Sequence, residues 1–429
     1  LKVTSGGDHP VRFVDRSVED VTFQGKLGLP IHRWYRLTPS FSPRLADDIA
    51  THFAMGPADR VLDPFSGVGT VPLCMKYRGI PAVGIELNPF LHFVGSVKTR
   101  TRTERAVDQF ERSVRDFLAR LREDVGGLPD ERRAARYLEE NAGDVPGIHR
   151  PDRWWSAGNL MQLVCVRRLL KAFEAALDDR ELLAMGVLGI LVPVSNARHN
   201  HVSLTFAAEP GPTFDLAAVL ERKYAEMIAD LRSVAGKTCS EVVIHRGNSK
   251  EAATVLRKAR ADVSAVITSP PYPNRFSYAR ETRPHLFFLD FVASAAAVGQ
   301  LEVDGIGGTW GKATSILARG VAPANERIAG LLDPYITRFG ERGGLMAAYV
   351  TKYFNDLYQH AGEIARVCRP NCRLAYVIGN SKFFGQPLPS DELLAEIFGE
   401  FGFGLDRIDR MRRRQSKSGL YEAVVFMRR

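Results

Sequence analysis

The chain has 429 residues, 45% of them hydrophobic and 25% charged, which suits two or three ordinary globular units and excludes a fibrous or disordered chain. Its net charge of +9 favours a polyanionic partner, because lysine and arginine displace counterions from phosphates. The five cysteines, Cys74, Cys165, Cys239, Cys368 and Cys372, make no disulfide framework and point to a reducing cytoplasm. Cys368 and Cys372 have no second pair with which to complete a metal site, so they read as buried thiols and no metal is expected. The longest apolar run, Leu182 to Val194, is too short for a bilayer and contains Pro193, so no membrane is expected. The first residues, Leu1 to Asp8, lack the apolar stretch of a signal peptide.

In chain order, Ser42 to Phe53 reads as a helix, with Ser42 as N-cap and Pro43 at the first helical position. Arg60-Val61-Leu62 is a short strand ending in Asp63, a helix follows through Thr70 to Tyr77, and Ala82 to Ile85 is a second strand ending in Glu86. Together they make one β-α-β unit of a parallel sheet. From about Val97 to Val234 helical periodicity dominates, broken at Gly126-Gly127-Leu128-Pro129 and Asp144-Val145-Pro146-Gly147. Strands return at Glu241 to His245 and Ala265 to Ile267. About Ala293 to Gly344 is glycine-rich and weakly periodic, helix resumes through Val350 to Val367, and strands follow at Arg373 to Ile378 and Tyr421 to Phe426. The expected fold is α/β, a doubly wound Rossmann-like sheet interrupted by a helical insertion and a loop-rich insertion.

Two segments carry chemistry. Asp63-Pro64-Phe65-Ser66-Gly67-Val68-Gly69-Thr70 ends a strand and opens a helix, and its glycines let backbone approach a ligand without a Cβ clash. Glu86 ends the next strand about 20 residues on, where an acid can accept hydrogen bonds from ribose hydroxyls. The glycines match neither a Walker loop nor the three-glycine dinucleotide pattern. The second segment, Thr268-Ser269-Pro270-Pro271-Tyr272, follows another strand. Its two prolines fix an extended loop that has lost two amide donors, which suits a site that accepts hydrogen bonds.

The first segment resembles the S-adenosylmethionine-binding motif of the DNA amino-methyltransferases. The stretch His32-Arg33-Trp34-Tyr35-Arg36-Leu37-Thr38-Pro39-Ser40-Phe41-Ser42-Pro43 is similar to the family segment that reaches the methionine end of the cofactor. The resemblance implies that Asp63 and the Gly67 and Gly69 backbone hold the methionine moiety, which Ser40 and Phe41 reach from upstream, and that Pro64, Ser66 and Thr70 also bind the cofactor. It puts Phe65 near the sulfonium, Glu86 on the ribose and Leu87 beside the adenine. Where the family often carries an acid for the adenine amine, this chain has Asn248, whose side-chain oxygen can accept the same bond.

Ser269-Pro270-Pro271-Tyr272 resembles the catalytic motif of the cytosine-amine (N4) enzymes, in which serine is the usual first residue; the adenine-amine (N6) enzymes mostly carry aspartate or asparagine there. The lone pair of an exocyclic amine is conjugated with its ring. Acceptors aimed at the amine hydrogens draw the nitrogen towards tetrahedral geometry and free that pair. Ser269 hydroxyl and Pro270 carbonyl are the candidates, Pro271 stiffens the loop, and Tyr272 offers a face on which an extruded base can stack. Cytosine carbon-5 methylation is rejected, since no cysteine follows a proline. The similarity continues through Pro273 to Tyr278, Arg283 to Leu289 and Arg369 to Asn380, about half the chain in all.

The chain divides into residues 1–97, the cofactor-binding part, 98–236, a helical insertion that matches no named family segment and is a candidate DNA-recognition region because the core alone has no means of choosing a sequence, and 237–292, the catalytic part. Residues 293–344 form the loop-rich insertion and a DNA-contacting region, with 345–429 completing the methyltransferase domain. The resemblance implies duplex DNA as substrate, a cytoplasmic enzyme at the nucleoid, and leaves a cognate restriction endonuclease open. Arg275, Arg280 and Arg283 follow the catalytic loop and are expected on the DNA strand. Arg410, Arg412, Arg413, Arg414 and Lys417 are expected on phosphates before the final strand, with a solvated basic loop as the plain alternative. Asn196, Arg198, His199, Asn200 and His201 form a polar cluster that reads bases or merely caps a loop, and Trp310-Gly311-Lys312 suits a clamp. Trp154 and Trp155 read as core. An adenine-amine DNA methyltransferase is the alternative, followed by an RNA or protein methyltransferase and by an inactive DNA-binding relative.

Overall fold

The structure, a computed structural model, describes residues 11–40, 42–199, 204–207, 209, 211–237, 239–257, 262–308, 312–340, 343–413 and 419–429. Among these residues eight strands form one sheet: β1 Val11–Phe13, β2 Val61–Asp63, β3 Ala82–Glu86, β4 Val242–Arg246, β5 Val263–Thr268, β6 Cys368–Gly379, β7 Gly404–Arg413 and β8 Tyr421–Arg428. Their spatial order is β1-β7-β8-β6-β5-β2-β3-β4. Strands β4, β3, β2, β5 and β6 run parallel. β8 is antiparallel to both β6 and β7, and β1 lies parallel to β7. From β2 the chain winds outward through β3 and β4, then returns to β2's other side for β5 and β6. That reversal is the switch point of a doubly wound sheet, where ligands bind at the strands' carboxyl ends.

Burial on both faces explains why the central strands read as unbroken apolar runs: every residue of β2, β3 and β5 is buried. One face, with Val61, Ala265, Ile267, Val377 and Val424, packs on the helices Pro43–His52 and Thr70–Tyr77. The other face, with Leu62, Val83, Val266, Leu374 and Tyr376, packs on Gly344–Val367 and Ser390–Gly399. Both strand-end helices start as the sequence requires. Ser42 Oγ accepts from Arg44 N at 3.2 Å with Pro43 behind it, and Gly69 enters Thr70–Tyr77 at φ 77°.

The helical segment builds its own core. Val107, Phe110, Val114, Phe117 and Leu121 line one face of Glu104–Val125 at helical spacing and meet Tyr224 of Leu216–Val234. Trp154 and Trp155 are buried in it, with Trp155 Nε1 donating to Leu191 O at 3.0 Å. This core is continuous with Trp34, Tyr35, Phe90 and Leu91 beside the sheet. The join is fixed by buried Asp230, which accepts from Ile31 N at 2.8 Å, Trp34 Nε1 at 3.0 Å and the Arg33 guanidinium. Asp230→Ala strands these donors and should cost about 3–5 kcal/mol, measured as a lower denaturant midpoint with an unchanged slope.

Two expectations are corrected. The segment read as loop-rich contains three helices, Ala295–Asp304, Lys312–Leu317 and Glu326–Ile336. Ser294 and Asn325 cap the first and third; the third carries an apolar stripe, Ile328, Leu331, Leu332, Tyr335 and Ile336, at helical spacing, a signal the loop reading missed, whereas the first fully buries only Glu302. Of the basic stretch before the final strand, Arg410 to Arg413 end a strand, β7. Irregularities between Leu405 and Arg407 and between Arg410 and Arg412 put its buried Ile408 and Met411 three residues apart, which hides the period of two. No helix among the described residues is long and apolar enough to cross a membrane.

Candidate active site

The carboxyl ends of β2, β3, β4 and β5 meet around one open cleft of about 1070 Å³, its mouth included. Its lining holds Ser40, Asp63, Pro64, Phe65, Ser66, Gly67, Thr70, Glu86, Leu87, Asn248, Ser269 and Pro271, so both sequence motifs share one space. Gly69, Pro270 and Tyr272 do not line it. Gly69 lies beneath the loop at φ 77°, where a Cβ would sit 3.1 Å from Gly95 Cα. Pro270 is buried behind Ser269, and Tyr272 packs half-buried against the core on the Gly344–Val367 side. Phe41 lies outside the described residues.

Asp63 Oδ1 accepts from Thr268 Oγ1 at 2.6 Å and from Phe65 N at 3.2 Å, so a side-chain bond ties the end of β2 to the residue before Ser269. Burial pushes its pKa up to about 7, against the pull of those two donors. Glu86 Oε2 accepts from Gly67 N and Oε1 from Asn88 N, both at 2.7 Å. Burial pushes this carboxyl too up to about 7. Each oxygen keeps lone-pair capacity for a hydroxyl donor. Gly67 at φ 52° lets the loop turn its amide onto Glu86. A Cβ at Gly84 would meet Ser66 Oγ at 2.6 Å, so the loop lies directly on β3.

Other groups hold the loops, and the sequence motifs did not point to them. Lys98, fully buried, donates Nζ to Val68 O at 3.0 Å, and burial lowers its pKa to about 7. His360 bonds Tyr376 through Nε2 at 2.8 Å, and burial lowers its pKa to about 3, so a neutral imidazole backs the Phe65 ring at 4.7 Å. Asn88 caps the helix Pro89–Thr99, and its Nδ2 donates to Thr282 Oγ1 at 2.9 Å, downstream of the Ser269–Tyr272 loop. The Asn88-Pro89 pair was a readable helix start; the Thr282 contact had no local signal. Tyr353 OH donates to Pro271 O at 2.7 Å, and Tyr349 OH accepts from Arg275 N at 3.1 Å. Tyr353→Phe removes one oxygen and should lower turnover about tenfold with cofactor affinity unchanged; steady-state kinetics beside calorimetry checks this.

The proposed adenine contact is partly engaged. Asn248 Oδ1 accepts from Lys250 N at 3.0 Å, and Nδ2 donates to Asp304 O at 3.0 Å. The DNA-directed residues scatter. Arg275, in the left-handed region at φ 61°, and Arg280 are exposed after the Ser269–Tyr272 loop. Arg283 is half-buried, 6.0 Å from the Phe287 ring centroid, with Nε buried. Arg198 is exposed on a two-stranded ribbon, Ala197–His199 with Leu204–Phe206. Asn196 is buried and structural: Oδ1 accepts from Gly211 N at 2.9 Å. Arg410 is consumed by Asp391 and Glu392 over the Tyr421 ring, so its expected phosphate contact is withdrawn. Arg412 and Arg413 end β7 opposite Glu422 and Tyr421, with side chains outside the described set. The side chain of His199, and Asn200, His201, Trp310, Gly311, Arg414 and Lys417, also lie outside it.

Fold and cleft define a class: a doubly wound α/β protein with an open cleft at its switch point, into which a Ser-Pro-Pro loop brings Ser269 and Pro271. Searching the protein-family models, we find none that matches the chain. The chain is similar to the Type II methyltransferase M.BsoBI of Geobacillus stearothermophilus, at 23% identity over 93% of this chain and 83% of that one. It is likewise similar to the Type II methyltransferase M.AvaI of a Nostoc species and of Anabaena variabilis, at 24% identity over 90% and 82%. Among solved structures, TrmN from Thermus thermophilus aligns at 11% identity over 92% of this chain and 49% of its own, with a TM-score of 0.29. The rRNA methyltransferase aviRa from Streptomyces viridochromogenes aligns at 10% identity over 91% and 86%, also at 0.29. Overlaps that low bear on nothing here, and the fold rests on the strand order itself.

Proposed function

We propose that the protein is an S-adenosylmethionine-dependent DNA methyltransferase that modifies the exocyclic N4 amine of cytosine in duplex DNA. The observation that carries this reading is the sharing of one cleft by Ser269 and the Asp63–Thr70 loop, with Thr268 bonded to Asp63 between them. The relatives, named Type II methyltransferases, support methyl transfer, and the net charge of +9 supports a polyanionic substrate. The choice of cytosine rests on serine at the head of the catalytic motif.

The residues present fit the cofactor. Ser66 Oγ, in the cleft lining, is buried with no partner among the described residues, and Glu86 already faces the loop that would cover a ribose. When bound, the cofactor supplies an activated methyl group on a sulfonium. Asp63 lies where it can balance the positive charge, Glu86 takes the ribose hydroxyls, and Phe65 closes the apolar side. Ser269 Oγ, which lines the cleft, would accept a hydrogen of the target amine and orient its lone pair; Pro270 O, expected beside it, belongs to a buried residue outside the lining. Tyr353 and Thr268 keep that loop from shifting. Reaching the amine requires the base to leave the duplex, and exposed Arg275 and Arg280 would hold the strand around it.

Asp63 and Glu86, with pKa about 7, set a pH dependence. Both folded-state values are raised, so their contribution to stability is full below about pH 4 and is lost as pH rises through about 7. A cationic ligand favours ionised Asp63. Cofactor affinity should therefore rise between about pH 6 and 8 with proton release, seen by calorimetry in buffers of different ionisation enthalpy. The function itself is tested by offering methyl-labelled cofactor with duplex DNA or with RNA. Label in DNA is expected; label in RNA alone would reject the reading.

A further inference from the structure

Three carboxylates line the cleft: Asp63, Glu86 and Glu302. Glu302 belongs to the helix Ala295–Asp304 and is the only buried residue on it. The same helix turns Leu301 to the cleft and packs half-buried Ala297, Val298 and Leu301 on the neighbouring core, so Glu302 is a buried carboxylate set in an otherwise apolar face. The carboxylate is oriented by Ser277, whose hydroxyl donates to Oε1. Ser277 precedes Tyr278, another lining residue, whose pKa is raised by burial and by nearby Glu86.

The segment after Glu302 is fastened at the Asn248 end of the cleft and also borders Tyr349 and Tyr353, which hold the Ser269–Tyr272 loop. Asp304 O accepts from Asn248 Nδ2, and Gly307 N donates to Asp356 Oδ2 at 3.4 Å. A Cβ at Gly305 would lie 3.9 Å from Leu87 Cδ2, and one at Gly308 would overlap Glu302 O at 1.7 Å. With Glu86 on the ribose, a nucleoside base continues along the sheet edge towards Leu87, Gly247 and Asn248. The amine of adenine brings two hydrogen-bond donors to that end. Asn248 has its amide engaged by Lys250 and Asp304, whereas a carboxylate is an acceptor only and matches an amine.

We propose that Glu302 accepts a hydrogen bond from the adenine amine of the bound cofactor, so that the inserted helix forms the base-recognising wall of the cleft. This rests on the reading that the cleft binds S-adenosylmethionine. The test is calorimetry with S-adenosylhomocysteine and with its inosine counterpart, in which a carbonyl oxygen replaces the amine. The native protein should prefer the adenine form. Glu302→Gln can turn an amide N–H to the carbonyl and should narrow that preference by at least about tenfold. A merely structural Glu302 would change both affinities alike, and an unchanged ratio overturns the proposal. A native protein that binds neither compound overturns the cofactor reading, and the proposal with it. If Glu302→Gln does not fold, Glu302→Asp serves: it should weaken the adenine form alone, and equal loss of both overturns the proposal.

Discussion

Glu86→Leu should weaken S-adenosylmethionine binding by at least about a hundredfold, the largest effect expected of any single substitution in the cleft. Leucine removes the acceptor for the ribose and strands two amides, those of Gly67 and Asn88, that now end on the carboxylate. Each stranded amide costs about 1–3 kcal/mol, so the variant should also melt earlier. Glu86→Gln separates the two effects. It keeps one acceptor oxygen but turns an NH₂ towards a backbone N–H, so its affinity should fall between native and leucine with a smaller loss of stability. Calorimetry beside a thermal scan reads both. Native affinity in the leucine variant would mean that the β3 carboxylate holds only the loop.

Ser269→Ala should lower kcat by about ten- to a hundredfold while DNA affinity and cofactor affinity stay within about twofold. The hydroxyl acts as the amine changes from planar to tetrahedral, so its contribution belongs to the transition state. Its loop is held independently, through Thr268 to Asp63 and through Pro271 O to Tyr353, so the alanine variant should keep its shape. Single-turnover kinetics isolates the step. Equal losses in kcat and in DNA affinity would instead assign Ser269 to binding.

The cleft's strand ends were legible because they are local: a β-turn-helix unit with glycines at Gly67 and Gly69, an acid at Glu86, and two prolines after β5 each leave a mark within a few residues. Glu302, Tyr353 and Thr282 left none. They meet the site only after long stretches of chain fold back, and a glutamate on a weakly periodic helix looks like any solvated charge. β7 was hidden by its irregular register, and Arg410 by partners some twenty residues earlier, Asp391 and Glu392. Tyr272, a motif residue expected to stack on the base, packs half-buried against the core. If it stacks on an extruded base, the base must come to its exposed side.

The most direct measurement is nucleoside mass spectrometry of DNA from cells expressing the native chain and, in parallel, the Ser269→Ala variant. The account predicts N4-methylcytosine in the first and a strongly reduced amount in the second. N6-methyladenine alone would assign the same site to the other exocyclic amine, and no methylated base in either sample would contradict the account.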